Sequence, residues 1–258
     1  MELKLAGKTA LVTGASKGIG LAIVQALTAE GVRVAACART ASAELVKATP
    51  LTKQGDLTVP TQATEVVDWA LTELGGIDLL VNNVGGSPAR TEGFLAISDD
   101  EWQHAFELNF FSAVRTTRAA LPSLLARRGS VINIGSVNSQ LAVPRLMDYS
   151  AAKAALASFG KALAEEVGKT VRVNTISPGP TRTAVWTASD GMAAGLSKAA
   201  GIKHEEFLEQ VPAMTGMNTG RFVEPAEVAA LVLMLASGRV PGMNGADLVL
   251  DGGMLKQL

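Results

Sequence analysis

Along the chain, short apolar runs alternate with longer stretches of helical periodicity. Lys8–Thr13 (KTALVT) is apolar and β-prone and stops at Gly14, which predicts a buried strand. Ile19–Ala29 follows with a helical pattern that ends at Gly31, a C-terminal signal. Val32–Ala38 reads as a second strand, Ala41–Ala48 as a helix and Leu51–Gly55 as a third strand. Thr61–Leu74 is helical and closed by Gly75-Gly76, and Ile77–Val81 is a strand. Ser98 and Glu101 form a Ser-x-x-Glu capping box, whose helix runs, with a kink, to about Ala126. Val131–Gly135 predicts a strand and Met147–Val167 a long helix. Val171–Ile176 predicts a strand ending before Pro178. A helix after Glu224-Pro225, reaching about Ala236, and a strand over Asp247–Leu250 complete the pattern.

Strands alternating with helices predict an α/β fold, a doubly wound parallel sheet with helices on both faces. No repeat, low-complexity tract or linker divides the chain, so 1–258 is expected to be one domain. The one irregular region is Ala184–Phe222, rich in Gly, Met and small residues. A connection of that length predicts a mobile flap over a ligand.

Composition narrows the classes. The chain has 258 residues, 48% hydrophobic and 18% charged, and no apolar run long enough for a membrane helix. The start, Met1-Glu2-Leu3-Lys4, lacks the apolar core of a signal peptide, so a soluble cytoplasmic protein is expected. Cys37 is the single cysteine and there are two histidines, which argues against a disulfide framework and a His/Cys metal site. A net charge of −1 without a basic run gives no footprint for nucleic acid.

Two stretches bear chemistry. Thr13-Gly14-Ala15-Ser16-Lys17-Gly18-Ile19-Gly20 lies between the first strand and first helix, where glycines let a backbone approach a phosphate and a helix N-terminus offers it free N–H groups. Its spacing is Gly-x-x-x-Gly-x-Gly, not Gly-x-Gly-x-x-Gly. An NAD site usually carries an acid at the end of the second strand. Here that end reads Cys37-Ala38-Arg39-Thr40, and Arg39 with Lys17 offers two cations to an adenosine 2′-phosphate, which points to NADP. Cys37, within the strand, reads as a small buried apolar residue. Further on, Tyr149 and Lys153 stand four residues apart in Tyr149-Ser150-Ala151-Ala152-Lys153, on one face of a helix. An ammonium beside a phenol favours phenolate and suits the pair to move a proton at a substrate oxygen.

With Asn82-Asn83-Val84-Gly85, Ser136 and Pro178-Gly179 added in order, the chain resembles the short-chain dehydrogenase/reductase family over nearly its whole length. It is most similar to the single-domain branch of carbonyl, tropinone and β-ketoacyl reductases. The resemblance implies a Rossmann-type sheet and reversible reduction of a carbonyl. It implies that Ser136 hydrogen-bonds the substrate carbonyl, Tyr149 gives the proton, and Lys153 tunes Tyr149 and holds the nicotinamide ribose. Asn109 would hold a water of the proton relay. For the cofactor it implies the Gly14, Ser16, Lys17, Gly18, Ile19 and Gly20 turn and the Asn83–Gly85 turn near the adenosine ribose. It also implies Asp56 with Leu57 at the adenine, and Pro178, Gly179, Thr181 and Thr183 at the carboxamide. Val84 and Thr181 depart from the residues most relatives carry there, and Gly135 stands where many have a second serine.

The resemblance further implies a homodimer or homotetramer built on the Ser98–Ala126 and Met147–Val167 helices. Phe94, Val143, Trp186, Met192, Met214 and Met217 are candidate walls of an apolar pocket, which favours a small hydrophobic ketone over a sugar. Arg145 and Arg182 are expected to be solvated. Alcohol oxidation by the same groups and a non-catalytic cofactor-binding regulator are the competing readings.

Overall fold

The computed structural model describes residues 2–88 and 90–256. The first half comprises β1 (Thr9–Thr13), α1 (Gly18–Ala29), β2 (Arg33–Ala38), α2 (Ala43–Ala48), β3 (Thr52–Gln54), α3 (Pro60–Leu74) and β4 (Leu79–Asn82). Then come α4 (Asp99–Phe106), a π turn (Glu107–Phe111), α5 (Ser112–Arg127), β5 (Ser130–Ile134), α6 (Met147–Val167) and β6 (Arg172–Pro178). The last part comprises α7 (Ala184–Thr187), α8 (Met192–Ala200), α9 (His204–Met214), α10 (Pro225–Ala236) and β7 (Asp247–Leu250).

Among the described residues, seven parallel strands lie in the order β3-β2-β1-β4-β5-β6-β7. The central strands are buried throughout because both faces are covered, and their apolar side chains alternate between two cores. Ala10 and Val12 of β1 meet Ile23, Val24 and Leu27 of α1 and Val228 and Val232 of α10. Leu11, one residue along, joins Val66 and Ala70 of α3, Leu124 of α5 and Leu163 of α6 on the other face. Each fully buried Leu or Ile here contributes about 1.5–3 kcal/mol. Helix ends follow their local signals. Gly75 closes α3 in the left-handed conformation, and the Ser98/Glu101 capping box opens α4.

After β3 the chain crosses to the other side of β1, so the strand order reverses between β1 and β4. The helices leave in opposite directions there, which opens a crevice at the strand C-termini. Gly14 follows β1 and Asn83 follows β4, so both stand at that crevice.

Two expectations need correction. The sixth strand does not stop before Pro178: Pro178 pairs with Leu250 in the terminal register of β6 and β7. The 184–222 segment is not irregular, because it holds α7, α8 and α9. Their apolar residues pack on one another, with Ala193, Phe207, Val211 and Phe222 buried and Trp186 against them. A local cluster of this kind leaves no sheet-facing pattern to read in the sequence.

Candidate active site

The glycine-rich turn is shaped by backbone sterics. Gly14 has φ +63°, the left-handed region, and packs on the Val84 backbone. Gly20 has no room for a side chain: a Cβ there would lie 2.3 Å from the Gly14 carbonyl oxygen and 2.5 Å from Asn83 Nδ2. Asn83 Nδ2 also donates to the carbonyls of Thr13 and Gly14, binding the two turns of the crevice together. Lys17 caps α1 by backbone only, with neither a side-chain cap nor an acid in the first turn. The α1 N–H groups therefore face the turn without a protein anion. Thr183 reaches this turn from after β6, since a Cβ on Gly18 would lie 3.0 Å from Thr183 Cγ2.

At the outer edge, Lys17 and Arg39 are exposed, and neither joins an ion pair among the described residues. Arg39 is near enough to Asp56 to help lower its pKa. Partial burial pushes that carboxyl up, and hydrogen bonds from the Thr58 hydroxyl and N–H, with Arg39, outweigh it. Leu57 beside it is buried. Cys37 is buried beneath, its thiol pushed up to about 12 by burial and by Asp56, as expected of an inert apolar filler.

The catalytic candidates converge at the ends of β5 and α6. The Lys153 side chain is 3% exposed and donates to the Ile134 carbonyl at 2.8 Å. Burial lowers its pKa to about 8. Its Nζ lies 5.8 Å from the Tyr149 ring centroid. A Cβ on Gly85 would lie 2.9 Å from Asn109 Oδ1 and 3.0 Å from Lys153 Nζ, which brings Asn109 to the same point. Ser136 is 6% exposed and caps the following turn, its hydroxyl accepting from Asn138 N–H and donating to Asn138 Oδ1.

One electronic expectation changes. The Tyr149 pKa is raised, not lowered, because burial of the phenol outweighs the opposing hydrogen bond of Ser136. The Asn109 side chain is bonded within the protein. In the π turn its Nδ2 donates to the carbonyls of Gly86 and Ala105, and its Oδ1 accepts from Gly86 N–H. Only the second lone pair of Oδ1 is left for a water.

Comparison with known proteins decides the family. A model described as "Enoyl-(Acyl carrier protein) reductase" matches residues 14–255. The 3-oxoacyl-[acyl-carrier-protein] reductase FabG of Vibrio cholerae is 34% identical over 98% of this chain and 99% of its own. L-xylulose reductase of Bos taurus is 35% identical over 99% of each. The structure of L-sorbose reductase from Gluconobacter frateurii, solved with NADPH and L-sorbose, superposes with a TM-score of 0.92 at 33% identity, covering both chains fully. The chain belongs to the short-chain dehydrogenase/reductase family. It is an oxidoreductase of that family.

The cofactor of a short-chain dehydrogenase/reductase is a nicotinamide dinucleotide, and the residues present fit one. The Gly14–Gly20 cradle would be filled by any Cβ at Gly20, the first turn of α1 carries no acid, and Lys17 in the turn and Arg39 after β2 are exposed and join no ion pair among the described residues. At the other end, Thr181 is buried with its hydroxyl on the Gly179 carbonyl, and Gly179 packs on Asp251. Pro178 and Gly179 are thereby held by β7, close to the crevice.

The departure at Gly135 has a steric reason within this short-chain dehydrogenase/reductase. A Cβ there would lie 2.8 Å from Ser177 Oγ and 2.8 Å from Thr175 Cγ2. Of the pocket candidates, Met217 lies in the main core and Trp186 packs on Phe222, so both are spent on packing. Phe94 and Met214 are exposed. Arg182 is exposed, as expected, pairing with Glu224 at 3.0 Å on the surface and lying over the Phe222 ring. Sequence reasoning assigned no role to Asn138, Arg90 or Asp148. An acid directly before Tyr149 was the available signal for the last, and nothing in the sequence singles out Arg90.

Proposed function

We propose that the protein reduces a ketone to a secondary alcohol with NADPH. The observation that carries this reading is the convergence of Ser136, Tyr149 and Lys153 where β5 ends and α6 begins, with the Lys153 ammonium 5.8 Å from the Tyr149 ring. A general acid must hold its proton until the substrate oxygen becomes basic. Ser136 turns its hydroxyl from Asn138 to the carbonyl oxygen and strengthens that bond as negative charge grows. Tyr149 gives its proton to the same oxygen. Lys153 stabilises the phenolate left behind, and its N–H groups face the sugar next to the nicotinamide. Asn109 holds Gly86 and shapes the floor beside Lys153. The nicotinamide supplies the reducing equivalent when bound. Arg39 and Lys17 bind the 2′-phosphate, and Asp56 with Leu57 faces the adenine. The 184–222 segment serves as the substrate lid, and pairing of α4–α5 and α6 between subunits gives the assembly.

A small hydrophobic ketone suits the Met-bearing lid. A hydroxylated ketone is the second reading, favoured by the Asn138 carboxamide beside Ser136 and by the relatives named for sorbose and xylulose. The test follows NADPH and NADH absorbance against aryl ketones, ketoses and β-ketoacyl thioesters. NADPH should be strongly preferred, and a preference for NADH would remove the Arg39 and Lys17 assignment. Tyr149→Phe should lower turnover at least about a hundredfold while NADPH still binds. Near-wild-type reduction by that variant refutes the mechanism.

A further inference from the structure

The connection between β4 and α4 contains a guanidinium that the mechanism above does not use. Arg90 Nε and Nη2 donate to Asp148 Oδ2 at 3.0 and 2.7 Å. Asp148 is fully buried, and its other oxygen accepts the Tyr149 N–H at 2.9 Å. The Arg90 backbone N–H donates to the Arg145 carbonyl, in the turn that leads into α6, at 2.9 Å. Arg90 thus grips the start of α6 from both sides. Its remaining nitrogen, Nη1, reaches Glu101 Oε1 at 2.6 Å, and Glu101 is the capping-box residue of α4.

We propose that Arg90 is a positioning residue for Tyr149, acting through the buried Asp148 carboxylate. Helix α6 begins without a side-chain N-cap, so Asp148 is the acceptor in its first turn. A fully buried carboxylate is tolerable only when paired and hydrogen-bonded. Without Arg90 it loses its partner and must move toward water, which displaces the backbone that bears the phenol. The link also ties Tyr149 to the loop from Gly86, whose other end Asn109 holds. Both ends of that loop are therefore fastened to residues of the proton-transfer site.

Tyr149 is the only tyrosine in the chain, which makes the test direct. Protein labelled with 3-fluorotyrosine gives one fluorine resonance, and it reports on this phenol without turnover. Arg90→Met, folded by circular dichroism, should displace that resonance and shift its titration midpoint. Arg90→Lys, which supplies charge without the fork, should fall between. Glu101→Gln, at the exposed end of the network, should leave the resonance in place. On the best ketone, Arg90→Met should lose about tenfold to a hundredfold in kcat, the cost of a small misplacement, with the KM for NADPH unchanged. A folded Arg90→Met with the wild-type resonance and midpoint overturns the proposal, however much stability it has lost. If Arg90→Met does not fold, Asp148→Asn decides by the same reading: a displaced resonance supports positioning and a wild-type one overturns it. The turnover arm rests on the proposed ketone reduction. Should the wild type reduce no ketone, that reading fails and the fluorine arm still decides the role of Arg90.

Discussion

The glycine-rich turn and the 184–222 segment are built in opposite ways. In the cradle, backbone meets backbone: Gly20 lies on the Gly14 carbonyl, Asn83 bonds the carbonyls of Thr13 and Gly14, and Ala15 N–H bonds Cys37. In the segment, side chains meet side chains. Trp186 lies edge-on to Phe222 at 5.6 Å, Arg182 covers the other ring approach at 5.1 Å, and Phe207 and Val211 fill the space behind. A backbone-built site holds one shape, as a phosphate requires. A small side-chain cluster, flanked by the Thr181–Val223 bridge and anchored to the main core through Met217, holds its shape by packing alone.

Phe222→Ala should break the segment most severely. The ring is 2% exposed, and truncating a buried Phe costs about 3–5 kcal/mol. If the segment is an independent unit, the loss falls on it alone. Hydrogen exchange should accelerate in α8 and α9 while the strands of the sheet keep their protection. Equal acceleration in both would show one cooperative body and remove the contrast.

Gly20→Ala is the corresponding change in the cradle. The added methyl meets a carbonyl oxygen and an amide that cannot rotate away, so it must separate α1 from β1. Overpacking of this kind costs about 1–3 kcal/mol. Denaturant unfolding should register that loss, and calorimetry should show weaker NADPH binding because the Gly14 turn moves with it. Unchanged affinity would mean that the turn does not shape the phosphate site.

The same contrast explains what was legible in the sequence. Strands and helices that bury one face against the sheet appeared with their ends nearly in place, because burial imposes a period and glycine marks the stops. α6 matched from Met147 to Val167. The cradle was legible because backbone approach leaves glycines at fixed spacing. Within the catalytic group, Tyr149 and Lys153 were visible as one helical turn. Their electrostatics were not, since the Tyr149 shift depends on burial and Lys153 turns to a carbonyl 19 residues away in sequence. The Arg90–Asp148 pair spans 58 residues and obeys no period. The helices of 184–222 were missed because Ala, Gly and Met in short runs give no stripe when the packing partner is only another short helix.

The finest distinction comes from a second glycine. Gly195 lies exposed within α8, has no positive φ, and a Cβ there would meet nothing within 4 Å. Gly195→Ala should therefore stabilise by about 0.5–1 kcal/mol, through reduced freedom of the unfolded chain and better helix propensity. The change made in the cradle to a destabilising end is made here to a stabilising one, and only the surroundings differ. Exchange protection should rise in α8 and not in the sheet. If the lid must open for substrate to enter, added helix stability also slows that opening. Turnover should then fall slightly as the segment becomes more stable. Raised protection with turnover unchanged would separate the helix of α8 from the motion that admits substrate, and would put the hinge at the Thr181–Val223 bridge instead.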